Sequence, residues 1–260
     1  MPNIVRILAL DLDDAHLSSD LSTSYRARNA IKRSETMGAI IVLASERIPA
    51  AMEHFTQLLG LHKKQGYLIC NNGAMIQESW TGKVICEARI EPEIALAVCD
   101  LIDAEGFPVR MYEDDIIYSY HQNEYSDYDD NLSSLRQVTV ENFRDMVGGG
   151  CYRLVIPGEP SRLVALQSLL NSQLGDSITV FTNRKYSLDI LPKQTNKATA
   201  LFRVAGIFSI KADEILAIGD RFCDEILLHH VSSPVTEIYE DEDMAAIIEK
   251  YLFDGESSHN

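Results

Sequence analysis

Short apolar runs rich in branched residues recur along the chain, and several end abruptly in polar clusters. Ile4 to Leu10 reads as a buried strand, parallel in kind, and Asp11, Asp13 and Asp14 follow it at once. Ala39 to Ala44 is a second such run and closes on Ser45, Glu46 and Arg47. Tyr67 to Cys70 is a short third, turned by Asn71-Asn72-Gly73. Glu214 to Ile218 is a late one, stopping at Gly219-Asp220. Between these runs the apolar period lengthens to that of a helix. One helix, capped by Asp20 or Ser22, runs through Tyr25, Ala30 and Ile31 to about Met37. Another starts at Pro49, turns Met52, Phe55, Leu58 and Leu59 inward, and stops near Gly60. Thr195 or Asn196 caps a third over Lys197 to Val204, a fourth follows Asp220 to about His230, and Asp241 to Leu252 is the last.

The middle of the chain is patterned differently. Ala74 to Ile76 and Val84 to Cys86 flank Thr81-Gly82 as a hairpin. Pro92 to Glu105 and Pro160 to Leu174 are amphipathic helices, and Leu135 to Val147 is expected to be helical. Phe107 to Tyr112, Ile116 to Tyr120, Cys151 to Ile156, Ile178 to Thr182 and Tyr186 to Leu191 read as strands. Tyr118 to Asn131, rich in Tyr, Asp and Asn, is expected to loop, as a substrate lid or as plain surface. The fold class expected is therefore α/β: a doubly wound, mostly parallel, Rossmann-like core with an inserted α+β domain. The boundaries expected are 1–80 and 192–260 for the core and 81–191 for the insert.

The net charge of −16 argues against sequence-independent nucleic-acid binding, which needs a cationic face. No apolar run approaches membrane-spanning length, and Met1 to Leu10 is too short for a signal peptide. The five cysteines form no CxxC pair, which suggests reduced thiols and a cytoplasmic protein.

The strand ends carry the chemistry. In a parallel sheet the ends at Asp11/Asp13, Ser45/Arg47 and Gly219/Asp220 lie along one edge, where ligands of open α/β sheets gather. Clustered carboxylates repel one another, and Mg²⁺ is the simplest offset, with a taste for one or two carboxylates plus phosphate. Asp13 and Asp14 also suit a plain acidic turn, Ser45 an N-cap, Asn72 a turn, and a lysine in a first helical turn is commonly solvated. His229-His230 reads better as a helix C-terminus than as a metal site.

Taken in order, Asp11-Leu12-Asp13, Ser45 within Leu43 to Arg47, Lys197 within Asn196 to Leu201, and Gly219 to Asp224 resemble the four motifs of the haloacid dehalogenase superfamily. Asn72-Gly73-Ala74 is similar to the stretch before the cap in its Cof-like branch. The resemblance implies a Mg²⁺-dependent phosphatase acting on a small phosphorylated metabolite, a sugar phosphate foremost. It implies Asp11 as nucleophile, Asp13 as general acid and base, and Lys197 and Ser45 on the phosphoryl oxygens. Arg47 and Asn72 would contact substrate; Asp11, Asp13 through its backbone carbonyl, Asp220 and Asp224 would hold the metal. Arg184, with Arg153 and Lys185, offers cap cations for a second anionic group.

The chain also departs from the pattern. Asp14 and Ala15 replace the usual glycine and threonine, and His16 follows where an apolar residue is usual. Glu46 replaces a glycine beside the phosphate site, and Cys223 an asparagine. The segment from Leu227 to Glu240 is short for another strand. Two other readings therefore stand beside the phosphatase: a weakened relative that binds a phosphorylated ligand or a protein partner, and a phosphosugar mutase.

Overall fold

The computed structural model describes residues 5–13, 24–126, 135–219 and 244–252. The first apolar run is β1 (Ile7–Asp11), buried throughout. Helix α1 (Tyr25–Thr36) is capped by Ser24, whose side chain accepts from the Ala27 N–H at 3.2 Å. Ser24 thus takes the role expected of Asp20 or Ser22, which lie outside the described residues. β2 (Ile40–Ala44), α2 (Pro49–Leu59) and β3 (Gly66–Cys70) follow, then the hairpin β4 (Met75–Glu78) and β5 (Val84–Glu87).

The middle of the chain contributes α3 (Pro92–Ala104), β6 (Val109–Glu113), β7 (Ile116–Tyr120), β8 (Arg136–Thr139) and β9 (Leu154–Pro157). It closes with α4 (Pro160–Leu174), β10 (Ile178–Arg184) and β11 (Ser187–Pro192). The chain then returns through α5 (Lys197–Ile207), β12 (Ile215–Ile218) and α6 (Met244–Leu252). Two compact units result: 1–46, 52–86 and 197–260 form one, 47–51 and 87–196 the other. The β4–β5 hairpin stays with the first unit, which reaches Cys86 where the sequence suggests a boundary at 80.

The first unit's sheet has the order β12-β1-β2-β3-β4-β5. β12, β1, β2 and β3 are parallel, and β4 runs against β3. Ile7 and Ala9 face α5 through Ala198, Leu201 and Val204, while Leu8 and Leu10 are fully buried on the other face. Burial on both faces explains why these strands read as continuous apolar runs rather than alternating ones. Each Ile, Leu or Val among them contributes about 1.5–3 kcal/mol by leaving water. From β1 the chain steps outward through β2 and β3, then returns to β12 on the other side of β1. That reversal opens a crevice at the carboxyl end of β1, where Asp11 stands.

The second unit's sheet has the order β10-β11-β9-β6-β7-β8, antiparallel except for β7 with β8. α3 and α4 cover one face, built from Val109, Met111, Leu154, Ile156, Leu188 and Ile190. The helix expected over Leu135 to Val147 is not formed. Its start pairs as β8, and short 3-10 turns occupy Phe143–Asp145 and Val147–Gly149. Val138, Thr139 and Val140 are β-branched and favour a strand, and Val140 N–H closes the pairing on the Ser119 carbonyl at 3.0 Å. Cys151 stands in an isolated bridge to Ile90 rather than in a strand, and Tyr118–Tyr120 belong to β7 rather than to a loop. Among the described residues no helix is long and apolar enough to cross a membrane.

Candidate active site

Asp11 is the last residue of β1 and is fully buried. The parallel pairing continues past it, with Leu12 N–H donating to the Ala44 carbonyl at 2.8 Å. This leaves Asp13 just beyond the sheet edge, where its own N–H donates to Asp11 Oδ1 at 3.0 Å. Ser45 follows β2 directly and is anchored by its N–H on the Ile69 carbonyl at 2.9 Å. Its hydroxyl donates to Asp13 Oδ1 at 2.5 Å, and the Glu46 N–H donates to Asp13 Oδ2 at 2.5 Å. The next strand end is tied in as well, since Asn72 N–H donates to the Ser45 carbonyl at 3.1 Å. Asn71 and Asn72 hold left-handed backbone at φ 50° and 53°, a conformation that asparagine tolerates better than most residues.

Lys197 opens α5 and is buried, with 5% of its side chain exposed, so it is not the solvated lysine common in a first turn. Its Nζ lies 2.8 and 2.9 Å from the two Asp11 oxygens and 2.7 Å from Asp13 Oδ2. Gly219 ends β12 at φ +137°, against the Asp11 side chain. Four separated segments therefore converge on one pair of carboxylates.

The charges do not cancel. Two carboxylates share one ammonium in a buried setting, and the excess falls on the carboxylate with fewer donors. Burial pushes Asp11 up to about 6, with Lys197 opposing and the Asp13 charge adding to the rise. Burial would raise Asp13 too, but Lys197, the Ser45 hydroxyl and the Glu46 N–H outweigh it and hold Asp13 down to about 2. Lys197 is raised by the two carboxylates despite its burial. Nearby, burial first and the Asp13 charge second keep the Cys70 thiol protonated.

This donor set fits a divalent cation. Its carboxylate and carbonyl oxygens are hard ligands, and its uncancelled negative charge is what a cation would neutralise. Among the described residues no three His, Cys, Asp or Glu side chains gather as a ready metal cage. Asp220 and Asp224, the other metal candidates, lie outside the described residues, as do Asp14, Ala15, His16, Cys223, His229, His230 and the segment 227–240.

Of the remaining sequence candidates, one adjoins the site and the others lie in the second unit. Asn72 is buried beside Ser45, while Arg47 and Arg184 are half-buried residues of the second unit. Arg153 is not a solvated cap cation. It is buried in an ion pair with Asp189, Nε to Oδ2 at 2.6 Å. Two contributors escape a motif search: the Glu46 backbone N–H, which no side-chain pattern reveals, and Asn71, whose buried Oδ1 has no hydrogen-bond partner among the described residues. Asn71 is flagged in the sequence only as the first half of an Asn-Asn-Gly turn.

The fold and this carboxylate–lysine site define a haloacid dehalogenase-like hydrolase. The family model of that description matches residues 8–236, and the chain belongs to this family, in its Cof-like branch. It is a phosphoric monoester hydrolase, and phosphatases of the family use a divalent metal. Among curated relatives, an HMP-PP phosphatase from Enterobacter sp. (strain 638) is 23% identical over 235 residues, covering 88% of this chain and 82% of the relative. The chain is also similar to a solved haloacid dehalogenase-like hydrolase from Bacteroides thetaiotaomicron, with TM-score 0.79 and 20% identity over 94% of this chain and 98% of that one. A solved subclass IIB sugar phosphatase of the superfamily shares the fold with TM-score 0.70 and 19% identity, over 87% of this chain and 85% of that one.

Proposed function

We propose that the protein is a Mg²⁺-dependent phosphatase of a small phosphorylated metabolite, a sugar phosphate foremost, working through an aspartyl-phosphate on Asp11. One observation carries the reading: a single buried ammonium, Lys197, lies within 2.9 Å of carboxylate oxygens on both Asp11 and Asp13. An Asp11 oxygen attacks phosphorus as the bond to the leaving oxygen breaks, and Asp13 delivers a proton to that oxygen. Water then attacks the same phosphorus, Asp13 takes its proton, and Asp11 and inorganic phosphate are released. When bound, Mg²⁺ neutralises charge on the phosphoryl oxygens and on Asp11. Asp11, the Asp13 carbonyl, Asp220 and Asp224 are the residues that would hold it.

The geometry of Asp13 adds a condition. Its carboxylate now accepts from Lys197, the Ser45 hydroxyl and the Glu46 N–H, the same donors that phosphoryl oxygens need. Asp13 thus stands in for the phosphoryl group and holds no proton to give. A phosphate that takes over these donors strips Asp13 of them, and its proton affinity rises when an acid is needed. Glu46 is therefore compatible with the reading, because its backbone donates to this position whatever its side chain carries.

The likeness to an HMP-PP phosphatase and to a sugar phosphatase supports the choice of a small phosphorylated compound as substrate. A panel of phosphorylated metabolites with Mg²⁺, read by phosphate release, tests it. Phosphate from one or more sugar phosphates is expected. No turnover with any divalent metal, or a phosphosugar isomer with little free phosphate, would overturn it.

A further inference from the structure

The second unit's sheet has a helix-covered apolar face and an opposite face of another character. Strand register places Asp189, Val155, Arg110 and Ser119 in one row across β11, β9, β6 and β7. Direct cross-strand partners point to the same face with neighbouring Cβ atoms. Arg153 and Tyr112 belong to that face two residues along their strands, and the Arg153 guanidinium lies 5.2 Å from the Tyr112 ring centre. Asp189, Arg110, Ser119 and Arg153 are all buried, at 0 to 4% exposure.

The charges on this face are unequal. Arg153 and Asp189 neutralise one another. Among the described residues, Arg110 has no ion pair, and its one hydrogen bond is to the Ser126 backbone carbonyl. Beside it, the buried hydroxyl of Ser119 has no hydrogen-bond partner. A buried guanidinium without a counter-charge is costly, and so is a buried hydroxyl left idle. One ligand meets both needs. An oxyanion accepts from the guanidinium fork and from the hydroxyl together, and supplies the negative charge that no described residue gives Arg110.

We propose that Arg110 and Ser119 form an oxyanion-binding site on the sheet face of the second unit, taking a carboxylate or phosphate group. The proposal is independent of the Asp11 chemistry. The Arg153–Asp189 pair and the Tyr112 ring flank the site on the same face. His121 to Ser126 forms its rim: Asn123 Nδ2 donates to the Pro157 carbonyl at 3.1 Å, and Tyr125 stacks on Tyr186 at 5.3 Å between ring centres. The ligand is a free anion, bound within the second unit alone.

Thermal melting of the full chain with malonate, in EDTA, tests the site. The wild type is expected to melt higher as malonate is added. Arg110→Gln is expected to lose that shift, and Ser119→Ala to weaken malonate roughly tenfold, the effect of one hydrogen bond to a charged group. Arg110→Lys keeps the charge and covers the case in which Arg110→Gln does not fold. A wild type unmoved by malonate, or a shift that survives intact in both Arg110→Gln and Ser119→Ala, overturns the proposal.

Discussion

Gly219 is built against Asp11: a methyl group placed on Gly219 would stand 2.3 Å from the Asp11 Cβ. At φ +137° the backbone there is also one that other residues rarely adopt. The strand β12 can therefore carry the fourth motif up to the first only because no side chain intervenes. Gly219→Ala is expected to cost about 3 kcal/mol in urea unfolding, from overpacking and backbone strain together, and to abolish phosphate release. Wild-type unfolding in this variant would show that β1 and β12 separate easily.

Lys197→Met leaves two buried carboxylates without their shared cation. Breaking such a cluster is expected to cost about 3–5 kcal/mol at pH 7–8. Both carboxylates then bind protons more tightly in the folded state, so the variant regains stability as pH falls toward 4. Denaturation midpoints at the two pH values check this, and a loss equal at both would contradict it.

The wild-type site makes a pH prediction of its own. Asp11 is raised from 3.8 to about 6, so the folded state holds a proton that the unfolded state gives up. Its contribution is full below 3.8 and is lost as pH rises through 6. Asp13 is lowered from 3.8 to about 2, so its contribution is present above 3.8 and lost as pH falls through 2. In metal-free protein Asp11→Asn is therefore expected to be the more stable at pH 7, by on the order of 1–3 kcal/mol, with the gap closing near pH 4. Asp13→Asn is expected to be the less stable at pH 7. Melting curves of the three proteins in EDTA decide the signs.

Millimolar Mg²⁺ offsets the same uncancelled charge. It is expected to raise the melting temperature of the wild type and to leave Asp11→Asn nearly unmoved. Equal shifts in both would place the cation elsewhere.

The buried Arg153–Asp189 pair in the second unit makes a stability prediction apart from catalysis. Asp189→Asn removes the negative charge beside a buried guanidinium and is expected to cost about 3–5 kcal/mol, whereas the double change Arg153→Met with Asp189→Leu is expected to be nearly neutral. Urea unfolding of the two variants separates these outcomes.

Much of the site is legible in the sequence, for a physical reason. A parallel strand buried on both faces must be apolar until it ends, so Asp11 and Ser45 mark their own strand ends, and Lys197 and Gly219 follow in motif order. The α4 boundaries are equally plain, because Pro160 suits a first turn and Leu163, Leu166 and Leu170 repeat at helical spacing. Tertiary pairing is not legible. The span 135–147 has a helix-like pattern, yet β7 offers Val138 and Thr139 a partner strand. Nor is the partner of a buried charge. Arg153 reads as a surface cation until Asp189, interrupting another apolar strand, is brought beside it. The donors that Asp13 accepts are partly backbone and partly from a segment 184 positions away, the difference between 197 and 13, so its ionised state appears only in three dimensions.

The proposed reaction turns on an aspartyl-phosphate at Asp11. Asp13→Asn lacks the base that activates water, so it should accumulate the intermediate. With Mg²⁺ and an aryl phosphate, whose leaving group departs without the proton that Asp13 supplies, rapid acid quench and peptide mass spectrometry are expected to find one phosphoryl group on Asp11 in Asp13→Asn, and none in Asp11→Asn. Undiminished phosphate release by Asp11→Asn, with no phosphorylated peptide in either variant, would contradict the account.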